Sequence, residues 1–190
     1  MKLQKRLEEK LKKEVLAILE NGKENWDIPH TLDSVKWMRK LILGEGGNEK
    51  ILVPAMYFHD IGYPHASDGY GFRKAMAMKK KHAERGAKIA KKVLERIGGF
   101  SKEEIEKIAY LVRMHDKHEN IESHERQLVF EADGLAQINW HESPPNFGKE
   151  DCLKFLDKYF RKERPPERWR TKTGKRHVRG LMKKSLKYWE

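Results

Sequence analysis

The sequence predicts an all-α protein, a single helical bundle closed by a basic C-terminal helix. Three observations predict it. Apolar residues recur at helical spacing along most of the chain. Breaks rich in Gly and Pro divide these stretches, and capping residues stand where the stretches begin. No alternating β-branched run exceeds a few residues. A length of 190 residues, 37% of them charged and 38% hydrophobic, suits one globular domain with a substantial core.

Leu3, Leu7, Leu11, Val15, Ile18 and Leu19 share one face of an opening amphipathic helix, so residues 1–25 are expected to pack on a core. Asp27-Ile28-Pro29 predicts a helix start, with Asp27 as cap and proline in the first turn. That helix carries His30, Val35, Met38 and Leu41 and ends at the glycines of 44–47. Asn48 caps an apolar third helix that runs into His59-Asp60. Residues 62–74 read as a loop. A fourth helix is expected from about Met76 to Ile97, and the capping box Ser101-x-x-Glu104 opens a fifth through Met114. A helix from about Ser123 to Asn139 follows. After the break at 143–146, a short helix runs from Cys152 to Phe160, Arg164-Pro165-Pro166 ends it, and a basic helix closes the chain. The expected organisation is a core over 26–140 with a helical extension of the same domain over 141–190.

No segment approaches eighteen consecutive apolar residues, which excludes a membrane-spanning helix. The N-terminus has no signal-peptide core, and the single cysteine, Cys152, offers neither a disulfide nor a thiolate zinc site. A cytoplasmic location is the economical expectation. The net charge of +12, concentrated around Lys79-Lys80-Lys81 and over 158–187, favours phosphate-bearing partners. No basic run is interleaved with the aromatic residues of a single-strand binding platform.

Polar residues stand where a helix should be apolar. His30 lies in the first turn of the second helix, His59 and Asp60 end the third, His82 lies in the fourth and His115-Asp116 ends the fifth. Asp133 interrupts the apolar stretch LVFEADGLAQI. A lone buried carboxylate costs several kcal/mol unless it is paired, hydrogen-bonded or bound to a metal; Arg113 is one candidate partner. Imidazole and carboxylate are ligands for divalent ions, and a helical bundle is a natural place to converge them. His65, His118, His124, His141 and His177 fall outside this pattern and are expected at the surface.

The order His30 in PHTLDSVKWM, His59-Asp60 in FHDIG, His82 in KKHAERGAKIA, His115 in RMHD and Asp133 in EADGLA resembles the HD-domain superfamily of metal-dependent phosphohydrolases. The resemblance covers about residues 26–140. It implies that His30, His59, Asp60 and Asp133 hold a first divalent ion; in two-metal members an Asp like Asp60 bridges to a second held by residues matching His82 and His115, so one or two ions per chain are expected. The ion's identity stays open among manganese, magnesium, iron, cobalt, nickel and zinc. The implied activity is hydrolysis of a phosphoester or phosphoanhydride bond in a small phosphorylated substrate, a nucleotide first of all. Lys79, Lys81, Arg85, Arg113 and Lys117 flank the histidines as candidate phosphate-binding groups. Some relatives place an acidic residue three positions after the His-Asp pair; here it is Tyr63, and Asp68 is the candidate for the acid/base role. Asp116 stands where some members carry a second consecutive His. Gly62-Tyr63-Pro64 follows the His-Asp pair directly and is not the signature of the cyclic-dinucleotide branch. The alternatives are a nuclease or phosphodiesterase acting on nucleic acid, a di-iron oxygenase and a non-catalytic binding module.

Overall fold

The structure is a computed structural model that describes residues 1–22, 25–63, 72–145 and 147–190, excepting the side chains of 72–80, 158 and 159. Its helices are α1 (Lys5–Leu19), α2 (Asp27–Glu45), α3 (Glu49–Phe58), α4 (Phe72–Ile97), α5 (Lys102–Met114), α6 (His124–Gln137), α7 (Lys149–Lys154), α8 (Arg161–Glu163) and α9 (Lys172–Leu186). There is no strand among the described residues. No helix there is long and apolar enough to cross a membrane.

The bundle is organised around α3. Every residue from Ile51 to Phe58 is buried, because this helix is apolar on all sides and other helices cover each of them. It packs against α1, α2, α4, α5 and α6. Around it, α4 lies along α5 and α2 along α6. α1 lays Leu11, Val15 and Leu19 onto α3 and α4, while α9 packs on α2 and α6.

Local chemistry sets several boundaries. Asn48 accepts from the Lys50 N–H, and Ser101 and Glu104 form the reciprocal capping box. Thr171 caps α9, and the buried Glu131 carboxylate fastens that start to α6 by accepting from the Arg170 and Thr171 N–H groups at 2.7 and 3.0 Å.

Three expected boundaries move. Asp27 is the first helical residue and Trp26 occupies the cap; a carboxylate in the first turn still complements the helix dipole. α4 begins at Phe72 rather than near Met76, since no Gly or Pro separates the two. The helix expected from Cys152 starts at Lys149 behind Gly148 and passes through a π-helical turn at Phe155–Phe160 before α8.

Candidate metal centre

α3 delivers His59 and Asp60 from the turn that follows it, where the chain leaves the buried helix. His59 Nδ1 donates to the Met56 carbonyl at 2.7 Å. At the end of α5, His115 Nδ1 donates to the Val112 carbonyl, also at 2.7 Å. Each ring thereby satisfies a carbonyl that the helix end leaves without an intrahelical partner. The same bond puts the proton on Nδ1 and leaves Nε2 with a lone pair aimed inward.

The donors form two groups that share one residue. His30 Nε2 is 3.1 Å from His59 Nε2 and 3.3 Å from Asp133 Oδ1; His59 Nε2 is 3.6 Å from that oxygen. Asp60 Oδ2 lies 3.5 Å from His30 Nε2 and 3.4 Å from His59 Nε2. The other oxygen, Asp60 Oδ1, lies 3.3 Å from both His82 Nε2 and His115 Nε2, which are 3.1 Å apart. His30, His59, His82, His115 and Asp133 are each no more than 5% exposed.

These spacings suit divalent ions. Donors about 2.1 Å from a common centre stand about 3.0 Å apart around an octahedron and about 3.4 Å apart around a tetrahedron. The His59 and His115 lone pairs face other imidazole nitrogens, an arrangement that repels unless a cation or protons lie between them. Among the described residues His30 Nδ1 and His82 Nδ1 are buried without a hydrogen-bond partner, so those rings interact with the centre through Nε2. The donor set therefore fits the metal ions that the sequence implies.

In the ion-free chain, protons take the place of that charge. Burial opposes a charged His59, but Asp60 and Asp133 override it and raise the pKa to about 9. His115 is raised as well, burial again being outweighed, here by Asp116 and Asp60. Burial pushes Asp60 up, yet the His59 charge and hydrogen bonds from His115 and His82 hold it well below the usual carboxylate range. Asp133 is likewise held low against its burial, first by Arg164 and then by His30 and His59.

Close packing brings α4 to this point. A Cβ on Gly62 would lie 1.9 Å from the His82 carbonyl oxygen and 2.5 Å from the Gly86 nitrogen. Only glycine lets the turn after Asp60 approach the α4 backbone this closely. Tyr63 stacks on the His82 ring, with centroids 4.0 Å apart and planes 10° from parallel. The residue that replaces the acidic group of some relatives thus orients an imidazole. Trp26 does the same for His30, at 5.1 Å and 9°.

Asp133 has Arg164, rather than Arg113, as its buried partner. Arg164 Nη2 donates to Asp133 Oδ2, Nη1 donates to the Phe130 carbonyl, and the guanidinium lies 4.4 Å from the Phe130 ring centroid. Gly134 makes room for it, since a Cβ there would lie 2.8 Å from Arg164 Nη1 and 2.9 Å from the Trp169 ring. Gln137 Nε2 donates to Asp133 Oδ1 at 3.0 Å.

The remaining expected residues are less centred. Arg85 lines a cavity of about 170 Å³ with Asp60, Asp27 and Tyr63. Arg113 and Lys117 line a cavity of about 770 Å³ with Asp116 and His118. Lys81 is exposed on α4, Lys79 is in α4 with its side chain outside the described residues, and Asp68 lies outside them altogether. His118 corrects an expectation: it is buried at 5% exposure, with its ring edge-on to Phe130 at 5.0 Å. A histidine so near a chain of charged residues reads as surface until Phe130 packs against it. Arg164 carries no signal of its burial in the sequence, because the two prolines that follow it mark it only as part of a break.

The HD-domain family matches residues 27–138. The chain belongs to the HD-domain family. Its members are generally metal-dependent phosphohydrolases. The match begins with α2 and ends just beyond α6, so it spans all of the donors described above. No curated protein and no solved structure matches the chain.

Proposed function

We propose that this HD domain hydrolyses a phosphoester or phosphoanhydride bond in a small phosphorylated substrate, a nucleotide in particular, with His30, His59, Asp60, His82, His115 and Asp133 as its metal ligands. The observation that carries the reading is Asp60, whose two oxygens each face a separate pair of imidazole nitrogens at 3.3–3.5 Å. A divalent ion held there supplies Lewis acidity toward a phosphoryl oxygen and lowers the pKa of water.

The chain's own groups do the rest. The Nδ1 bonds of His59 and His115 preset both rings, so little reorganisation is needed for binding. Arg113 and Lys117 place positive charge on the larger cavity beside Asp116, where it can neutralise substrate phosphate, and Arg85 does so beside Asp60. Lys81 extends this charge along α4, and Lys79 is assigned the same role on its place in the sequence alone. Asp68, eight residues beyond Asp60, is assigned the proton transfer to the leaving group on its place in the sequence alone.

The test is release of phosphate and pyrophosphate from a panel of nucleotides, with manganese, magnesium, cobalt or nickel added in turn. Turnover on one class names the substrate and the bond cleaved. No release with any of these ions would reject the reading.

One feature favours a second reading, a nuclease. The α9 sequence KTGKRHVRGLMKKSL has no acidic residue, and a cationic helix attracts a phosphodiester backbone. Cleavage of DNA or RNA that falls steeply with salt, together with inert mononucleotides, would select it.

A further inference from the structure

Asp116 presents a donor to the second group of histidines in the same way that Asp133 presents one to the first. Asp116 Oδ2 lies 3.4 Å from His82 Nε2 and 3.8 Å from His115 Nε2. With Asp60 Oδ1 it makes a set of two imidazoles and two carboxylates, matching His30, His59, Asp60 Oδ2 and Asp133 Oδ1 in composition. The imidazole–imidazole and imidazole–carboxylate spacings in this set, 3.1–3.8 Å, lie close to the edges of about 3.0–3.4 Å around one ion about 2.1 Å from each donor.

The outer oxygens both face basic side chains, at different range. Asp133 Oδ2 takes the Arg164 guanidinium. Asp116 Oδ1 faces the buried His118 at 4.0 Å, and the other nitrogen of that ring faces Glu163 Oε2 at 3.9 Å. Glu163 and Arg164 are consecutive, so one short piece of the C-terminal extension reaches the surroundings of both terminal carboxylates. Arg164 donates directly to its carboxylate and so orients it, whereas His118 stands at the longer range of an electrostatic contact.

We propose that Asp116 is a further protein ligand of the second divalent ion, beside His82, His115 and Asp60. This rests on the reading that the histidine cluster holds divalent ions. A carboxylate in this position, where some members have imidazole, gives the second ion two negatively charged ligands and shifts its preference toward harder cations such as manganese or magnesium. Asp116 is 12% exposed on its side chain and lines the cavity with Arg113 and Lys117, which makes this ion the one nearer to that opening.

The test counts ions without turnover. Manganese is titrated into wild type, Asp116→Ala and Asp116→His, followed by calorimetry and by electron paramagnetic resonance. Wild type is expected to bind two ions per chain and give the spectrum of a spin-coupled pair. Asp116→Ala is expected to bind one ion tightly, give the six-line spectrum of isolated manganese, and lose at least about 100-fold in affinity for the other. Asp116→His, which restores a nitrogen donor, is expected to recover the coupled pair. A single tight ion in wild type, or two ions with unchanged affinity in Asp116→Ala, would overturn the assignment and leave the hydrolase reading standing. Should Asp116→Ala not fold, a coupled pair in wild type that Asp116→Asn leaves intact at full affinity would overturn it equally. Wild type binding no ion would defeat both readings.

Discussion

Arg164, which lies beyond the family match, and Asp133 of the candidate metal centre form a buried ion pair, with side-chain exposures of 0% and 1%. The guanidinium occupies the outer oxygen of Asp133 and so leaves Oδ1 turned toward His30 and His59. Residues beyond the family match thus help to orient a donor inside it. Removing one partner of a buried pair strands the other and costs about 3–5 kcal/mol. Arg164→Leu is therefore expected to lower unfolding free energy by that amount in a urea titration. It is also expected to weaken ion binding about 10–100-fold, as loss of an outer partner does. Arg164→Lys recovers only part, because one ammonium cannot reproduce the bonds to both Asp133 and the Phe130 carbonyl. An unchanged urea midpoint in Arg164→Leu would remove the pair from this role.

Ion binding should be pH-dependent in a stated direction. In the ion-free chain the His59 pKa is raised from its unfolded value of 6.5 to about 9. Protonated His59 therefore stabilises the ion-free fold fully below pH 6.5, and this contribution disappears as pH rises through about 9. An ion must displace that proton, so affinity is expected to increase from pH 6.5 toward 9 and then level off. Calorimetry in two buffers of different ionisation enthalpy would register the released proton. Asp60 and Asp133 act at the other end: both are depressed, so their contribution is present above about pH 3.8 and is lost as pH falls below it. A flat affinity between pH 6.5 and 9 would show that His59 does not give up a proton to the ion.

Glycine at position 62 is required by backbone rather than by flexible side chains. A methyl group there meets the His82 carbonyl and the Gly86 nitrogen, and neither can swing aside. Gly62→Ala is expected to cost about 1–3 kcal/mol, the range for overpacking, and to move His82 away from Asp60. Thermal unfolding with and without manganese checks both parts, since the ion-induced rise in Tm should shrink along with the ion-free Tm.

Tyr63 offers a milder perturbation of the same histidine. Tyr63→Phe keeps the stacked ring and Tyr63→Ala removes it. The alanine variant is expected to lose about tenfold more affinity for the ion at His82 than the phenylalanine variant. Equal losses would assign Tyr63 to its hydroxyl rather than to its ring.

Much of this architecture was legible because the signals were local. Asn48 and Ser101 cap helices through bonds within three residues, and α3 announces its burial by being apolar throughout. His30, His59, His82, His115 and Asp133 could be picked out as polar groups on faces that should be apolar. What could not be read depends on distant packing. Arg164 meets Asp133 across 31 residues, and nothing local separates it from Arg113 as a partner. His118 needs Phe130 beside it before it reads as buried. The stacking role of Tyr63 exists only because Gly62 lets α4 come close.

Asp60 joins the two groups of donors, so its replacement is the most direct test of the centre. The measurement is Asp60→Ala against wild type, with manganese binding and nucleotide hydrolysis followed on the same preparations. Loss of tight ion binding together with loss of turnover is the expected result. Full turnover or undiminished ion binding in Asp60→Ala would contradict the assignment of Asp60 as the shared ligand.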